Sequence, residues 1–240
     1  MRDGNARSWV MASALALVLA GCCDDNTPLG VREGGGGGPA AVPLGTTSTF
    51  TVLAGSTVTN TGATVVTGNL GVSPGNAVTG FGPGVVTGTI HPADAAAAQG
   101  QTDLTAAYND AAGRTTGAIT VSGDLTGLTL SPGLYKSTSS LAISGALTFN
   151  AFGDANAVFI IQMGSTLTTG PGSKVILAGG ARASNIIWQV GSSATLGTNS
   201  VFKGTIMADQ AITLNTGARV EGRVLARVAA VNLDTNLITP

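Results

Sequence analysis

The chain has 240 residues, a tenth of them charged, and a formal net charge of −1. It has no basic run to neutralise phosphates, which speaks against nucleic acid as a partner, and low charge with a mean hydropathy of +0.35 speaks against a disordered chain. Two adjacent cysteines and a single histidine leave no disulfide framework and no metal-ligand spacing, so neither metal nor cofactor is expected.

Residues 1–21 read as a targeting segment. Arg2 and Arg7 give a positive start, Val10 to Ala20 is apolar, and Leu19-Ala20-Gly21-Cys22 closes the run. The apolar stretch is too short to span a membrane. Its closing tetrapeptide resembles the bacterial lipoprotein box, in which the cysteine is lipidated and becomes the mature N-terminus. Cys22 is therefore the candidate lipidation site, and the membrane is an expected partner through that anchor. The expected location is extracytoplasmic, on the bacterial cell envelope or released outside the cell. Cys23 is a bystander thiol. Residues 22–43, with Gly34 to Gly38 between Pro28 and Pro39, form the anchor and a flexible tether.

Residues 44–240 are expected to form one domain, acting as a monomer. Leu44 to Thr89 is rich in Thr, Val and Gly, with short alternation such as Thr49-Phe50-Thr51-Val52-Leu53 and punctuation at Gly71, Pro74-Gly75 and Pro83-Gly84, and reads as short strands. His91 to Gly113 breaks that pattern. Ala93, Ala97, Leu104, Ala107, Tyr108 and Ala111 can share one face, which predicts the only long helix, over 93–113, with Gly113 as its stop. Such an Ala-rich helix can lie close against a flat sheet. Strand patterns return from Ala118 to Ser184, separated by Ser131-Pro132-Gly133 and Gly170-Pro171-Gly172.

The last quarter repeats itself. Thr195 and Thr213, Thr198 and Thr216, Phe202 and Val220, and Gly204 and Gly222 are each eighteen residues apart. A period of about twenty with short strands marks a β-solenoid, whose coils bury their apolar side only by stacking. Leu167, Leu196, Leu214 and Leu233 are expected to form one inward ladder, and the threonines beside them outward ones. No polar cap follows Asp234, so the final coil is expected to be closed by its own tail.

The chemistry inventory argues against an enzyme. His91 has no partners at catalytic or ligand spacing and reads as a capping or surface residue. No nucleophile elbow or phosphate cradle occurs. Asp103, Asp110, Asp124, Asp154, Asp209, Glu221 and Asp234 are scattered, and Trp188 sits in an apolar strand that reads as core. What remains is the outward surface. Stacked coils lie ~4.8 Å apart and residues i and i+2 lie ~6.8 Å apart along a strand, so aligned threonines make a flat grid of methyl and hydroxyl groups. Such a grid can order water at regular spacing and merge with an ordered solid.

Several segments together carry a family resemblance. They are Phe50-Thr51-Val52-Leu53-Ala54-Gly55-Ser56-Thr57-Val58-Thr59-Asn60-Thr61-Gly62, Gly68-Asn69-Leu70-Gly71-Val72-Ser73-Pro74-Gly75, Ala106-Ala107-Tyr108-Asn109-Asp110-Ala111-Ala112-Gly113, Leu130-Ser131-Pro132-Gly133-Leu134-Tyr135, Asn156-Ala157-Val158-Phe159-Ile160, and Ile187 to Thr198. From Leu44 to its C-terminus the chain resembles the microbial ice-binding (antifreeze) family, with a discontinuous β-solenoid and an accompanying helix. The resemblance implies a mainly β fold: a right-handed parallel β-solenoid of roughly triangular section, one long α-helix packed alongside, and a flat Thr/Ser-rich face that adsorbs to an ice crystal surface and inhibits ice growth or recrystallisation. Some members carry Thr-Ala/Gly-x-Thr/Asn on that face. Thr61-Gly62-Ala63-Thr64 matches it, while Thr169-Gly170-Pro171-Gly172, Thr198-Asn199-Ser200-Val201 and Thr216-Gly217-Ala218-Arg219 match in part. The candidate ice-binding residues are therefore Thr61, Thr64, Thr169, Thr198, Ser200 and Thr216, with Arg219 as a charge expected to hinder docking. The alternative is a surface adhesin or polysaccharide-binding module on the same scaffold.

Overall fold

The computed structural model describes residues 38–240. The predicted signal segment, Cys22 and most of the tether lie outside the described residues. Residues 38–43, the end of that predicted tether, belong to the fold. Val42 is buried beside the helix, and Arg114 donates to the carbonyls of Ala40 and Ala41.

The fold is a parallel β-solenoid of three faces with one long helix alongside. One face is a sheet of eight short strands: Gly123–Asp124, Leu141–Ile143, Leu167–Thr169, Ala194–Leu196, Ile212–Leu214, Val231–Asp234, Thr57–Thr61 and Ala77–Thr79. The other two faces merge into a single fifteen-stranded sheet, because Val201–Ala208 and Arg219–Ala226 each run around a corner without breaking. Glycine makes that bend possible. Gly222 has φ 139°, and a Cβ there would stand 2.1 Å from the carbonyl oxygen of Gly204 in the coil below.

The coils do not stack in chain order. Residues 50–92 build one end of the solenoid, the helix carries the chain back along its side, and residues 118–240 climb from the other end. The climb stops where Val231–Asp234 pairs with Thr57–Thr61 and Leu237–Thr239 pairs with Val65–Val66. The expected closure of the last coil by its own tail is thus corrected. The first coil covers the last, and so satisfies both the apolar interior and the strand edge.

The helix spans Ala95–Gly113, two residues shorter at its start than expected. Ala93 lies outside it at φ 54°, and Asp94 is the N-cap, its Oδ1 accepting from Ala97 N–H at 2.9 Å. His91 Nδ1 lies 2.7 Å from Asp94 Oδ2, so the lone histidine supports the cap. Ala97, Gly100, Leu104, Ala107, Tyr108 and Ala111 are buried against Leu134, Ile160, Ile187, Met207, Leu225 and Leu53, the outward side chains of one face. Contact is tightest at Gly100, where a Cβ would meet the Phe50 ring at 2.8 Å. Gln162 ends the helix from the sheet, donating to the carbonyls of Ala111 and Arg114.

The interior is mainly apolar, with a few buried hydroxyl and amide side chains at its corners. Trp188 is fully buried, with Phe149 edge-on at 5.6 Å and Phe202 at 4.9 Å, and its Nε1–H donates to the Lys203 carbonyl at 3.0 Å. Leu196, Leu214 and Leu233 stack as expected. Leu167 is buried too, but pairs with Leu141 below and Ala194 above, so Thr169 and not Leu167 continues the Leu196 column. The upstream repeat is therefore out of step with the last quarter by two residues.

Candidate functional site

Of the three faces, one lies under the helix and two are open. Their outward side chains differ in kind. On the first open face, continuous with the helix-covered one, the outward residues run Ala146, Lys174, Val201, Arg219, Leu237, Val65 and Val85 in register. Lys203 pairs there with Glu221, and Ile176, Leu237 and Val85 are exposed. Long cationic chains and bulky apolar ones make this face uneven and hydrated in patches.

The eight-stranded face is bare by comparison. Its central outward column runs Asp124, Ala142, Thr168, Thr195, Thr213, Asn232, Thr59 and Thr79, each in register with the next. Strand alternation dictates this. Leu141, Leu167, Ala194, Ile212, Val231 and Val58 point into the core one residue earlier, and their neighbours must point out. Flanking outward positions are also small: Ser140 and Thr166, whose hydroxyls meet at 2.9 Å, then Ser193, Ala211, Ala230 and Thr57. No Lys or Arg occurs in these strands, and their only charged residues are Asp124 and Asp234. Eight rungs at ~4.8 Å spacing give about 34 Å of length, and three columns at ~6.8 Å give about 14 Å of width.

Two threonines of the central column are tied to their neighbours. Thr59 Oγ1 donates to Asn232 Oδ1 at 2.8 Å, and Asn232 Nδ2 donates to Thr213 Oγ1 at 3.3 Å, so three rungs are linked. β-Branched side chains on a pleated sheet also have few rotamers to lose. At the end rung, the Asp124 carboxyl has its pKa lowered from the ordinary 3.8 to about 2 by hydrogen bonds from the Thr126 hydroxyl at 2.6 Å and from the Ser144 N–H at 3.2 Å.

The six residues expected from the sequence divide evenly. Thr61, Thr198 and Thr216 are exposed and lie along one margin of the bare face, where the chain turns onto the charged face. Their carbonyls accept from the turn residue of an adjacent coil: Thr198 from Gly172, Thr216 from Asn199 and Thr61 from Thr235. Thr64, Thr169 and Ser200 are buried at 0%, 4% and 1% exposure, and are corrected here as interior residues. For Thr64 and Ser200 the cause is the turn, whereas Thr169 faces in by strand alternation with Leu167. Gly62 (φ 76°), Asn199 (φ 55°) and Gly217 (φ 74°) adopt left-handed backbone, so the residue before each faces out while Thr64 and Ser200, past the turn, face in. Thr64 Oγ1 accepts from Asn236 N–H at 3.1 Å, and Thr169 Oγ1 accepts from Gly197 N–H at 2.8 Å. Arg219, beyond its own turn, lies on the charged face and not among the threonines. The central column is not among the six residues expected from the sequence. Its signal was the plain alternation in Thr195-Leu196 and Thr213-Leu214, which the four-residue motif obscured.

No three His, Cys, Asp or Glu gather to hold a metal among the described residues, and Asp209 is paired with Arg227 at 2.6 Å. Fold and face together define a helix-flanked β-solenoid that presents one flat, hydroxyl-bearing surface almost without charge. Comparison with known proteins agrees with that class. The profile of a family described as ice-binding-like matches residues 52–239. An ice-binding protein of Nostoc sp. (strain HG1) is 49% identical over 197 residues, covering 82% of this chain and 73% of the relative, and one of Colwellia sp. is 39% identical, covering 84% of each. Among solved structures, an ice-binding protein from an Antarctic biological consortium superposes with a TM-score of 0.84 at 55% identity, covering 87% of this chain and 95% of that one. That of the ascomycete Antarctomyces psychrotrophicus gives 0.80 at 39%, covering 83% and 98%. The chain belongs to the ice-binding protein family.

Proposed function

We propose that this protein binds ice through the bare face and thereby inhibits ice growth or recrystallisation. The observation that carries the reading is the in-register column Thr168, Thr195, Thr213, Asn232, Thr59 and Thr79 on a face whose strands hold no Lys or Arg. Ice is a periodic solid, and a partner for it needs periodicity in two directions. Strand spacing supplies one and residue alternation the other. Each threonine offers a methyl group that leaves surrounding water free to order and a hydroxyl that joins the ordered layer. Because the side chains are short and the threonines β-branched, little conformational entropy is lost on docking. A sugar-binding surface would want exposed aromatics and acids, and the strands of this face contain no aromatic residue.

The decisive variant is Thr195→Tyr. It should remove most ice affinity in an ice-partition assay and most thermal hysteresis, at an unchanged melting temperature, because the ring stands above the plane without disturbing the core. A folded Thr195→Tyr chain that still binds ice as the parent does would refute this face as the docking surface. The second part of the proposal is the anchor. Leu19-Ala20-Gly21-Cys22 supports lipidation at Cys22, which would hold the solenoid outside the cytoplasm on the cell envelope. Cys22→Ser should release the protein from the membrane fraction, and an unmodified mature N-terminus at another residue would refute the anchor.

A further inference from the structure

The bare face is not uniform, and its irregularity lies at one rung. Val231–Asp234 is the strand at which the climbing coils meet the first coil, with Ile212–Leu214 on one side and Thr57–Thr61 on the other. It places Asn232 in the central column and Asp234 at the margin, in register with Thr61. Asp124 stands on the terminal rung, so Asp234 is the one charged strand residue on the inner rungs of the face. Its carboxylate accepts from the Thr216 hydroxyl and from the Thr235 hydroxyl at 3.0 Å, and none of the four ion pairs among the described residues includes it.

Building on the proposed function, we infer that Asp234 limits docking to ice by splitting the bare face into two unequal parts. Four neutral rungs, Ala142, Thr168, Thr195 and Thr213, lie below the seam, and two, Thr59 and Thr79, lie above it. An un-neutralised carboxylate holds water by charge-assisted hydrogen bonds, short and oriented toward the charge. That arrangement does not match the layer over a neutral methyl and hydroxyl grid, and stripping it is costly. The lower four rungs therefore act as the main docking unit. The upper two contribute weakly, because an ordered layer extending from below meets the hydrated seam. Asn232 is neutral and bonded to threonines on both sides, so the break at this rung comes from the carboxylate and not from the amide.

The test compares wild type, Asp234→Asn, Thr79→Tyr and the double variant by ice partition and thermal hysteresis, with melting temperatures measured alongside. Asparagine keeps an acceptor for Thr216 and removes the charge. Asp234→Asn should raise ice affinity severalfold. Thr79→Tyr should cost less than Thr195→Tyr in the wild type and clearly more in the Asp234→Asn background than in the wild type, because the upper rungs then join the docking unit. Asp234→Thr, which matches its register partner Thr61, repeats the test if the amide variant loses stability. Variants that keep their melting temperature and bind ice no better than wild type, with Thr79→Tyr costing the same in both backgrounds, overturn the inference. A wild-type chain without ice affinity would instead sink the proposed function itself, before any variant is compared.

Discussion

The two open faces come from the same coils, yet they differ in almost every outward residue. Inward, both are apolar: Leu141, Leu167, Ile212 and Val231 under the bare face, and Leu147, Val175, Phe202 and Val220 under the charged one. Outward, one presents threonine, serine and alanine, and the other Lys174, Arg219, Ile176 and the Lys203–Glu221 pair. The stacking of coils is secured from within, so the outer column of each face is free to vary without loss of the fold. Of the two open faces only one carries long charged chains in its strands, which is thus a property of the surface, and function is to be sought where those chains are missing.

The largest expected effect breaks what the faces share. Leu214→Ala empties a fully packed position in the Leu196–Leu214–Leu233 column and should cost about 2–5 kcal/mol through lost burial and the residual cavity. Chemical denaturation would show it, and ice affinity of the remaining folded fraction should fall as well, because the Thr213 rung rests on that layer. The next separates the two faces. Thr213→Tyr should remove most ice affinity, while Ile176→Tyr, an equally bulky change on the charged face, should remove none at equal stability. Equal losses from both would mean that the faces are not distinct in function.

Acid should act on the end of the bare face. Asp124 has its pKa lowered to about 2 in the fold, so its contribution is fully present above the ordinary carboxylate value of 3.8 and is lost as pH falls through about 2. The melting temperature should therefore decline between about pH 4 and pH 2, and Asp124→Asn should flatten part of that decline. Because this carboxylate is mostly exposed, the effect is modest. The smallest effects are expected from charges on the other face. Arg219→Thr should leave ice affinity unchanged, contrary to the expectation that Arg219 interrupts the docking surface. Glu221→Gln should alter stability by no more than about 1 kcal/mol, as for most surface ion pairs. A gain in ice binding from Arg219→Thr would show that the docking surface reaches around the corner.

Much of this molecule was legible before its fold was known. The eighteen-residue offset is the true register of the last coils: Thr195 pairs with Thr213, Phe202 with Val220 and Gly204 with Gly222. The helix was legible from its small-residue spacing, and Trp188 from its apolar strand. Alternation of period two also fixed, within a strand, that the threonine beside Leu196 or Leu214 faces outward. Local sequence stopped being informative at corners and at long-range pairings. A left-handed turn at Gly62, Asn199 or Gly217 resets the alternation, so a motif spanning it joins an outward Thr61 to an inward Thr64 and says nothing of which is which. The upstream segment has no fixed offset from the repeats, so Leu167 stands two residues out of step with the Leu196 column. The seam was invisible for a different reason. Asp234 meets Thr61 across 173 residues, and only the helix, by returning the chain to the far end of the stack, decides that the first coil and the last become neighbours.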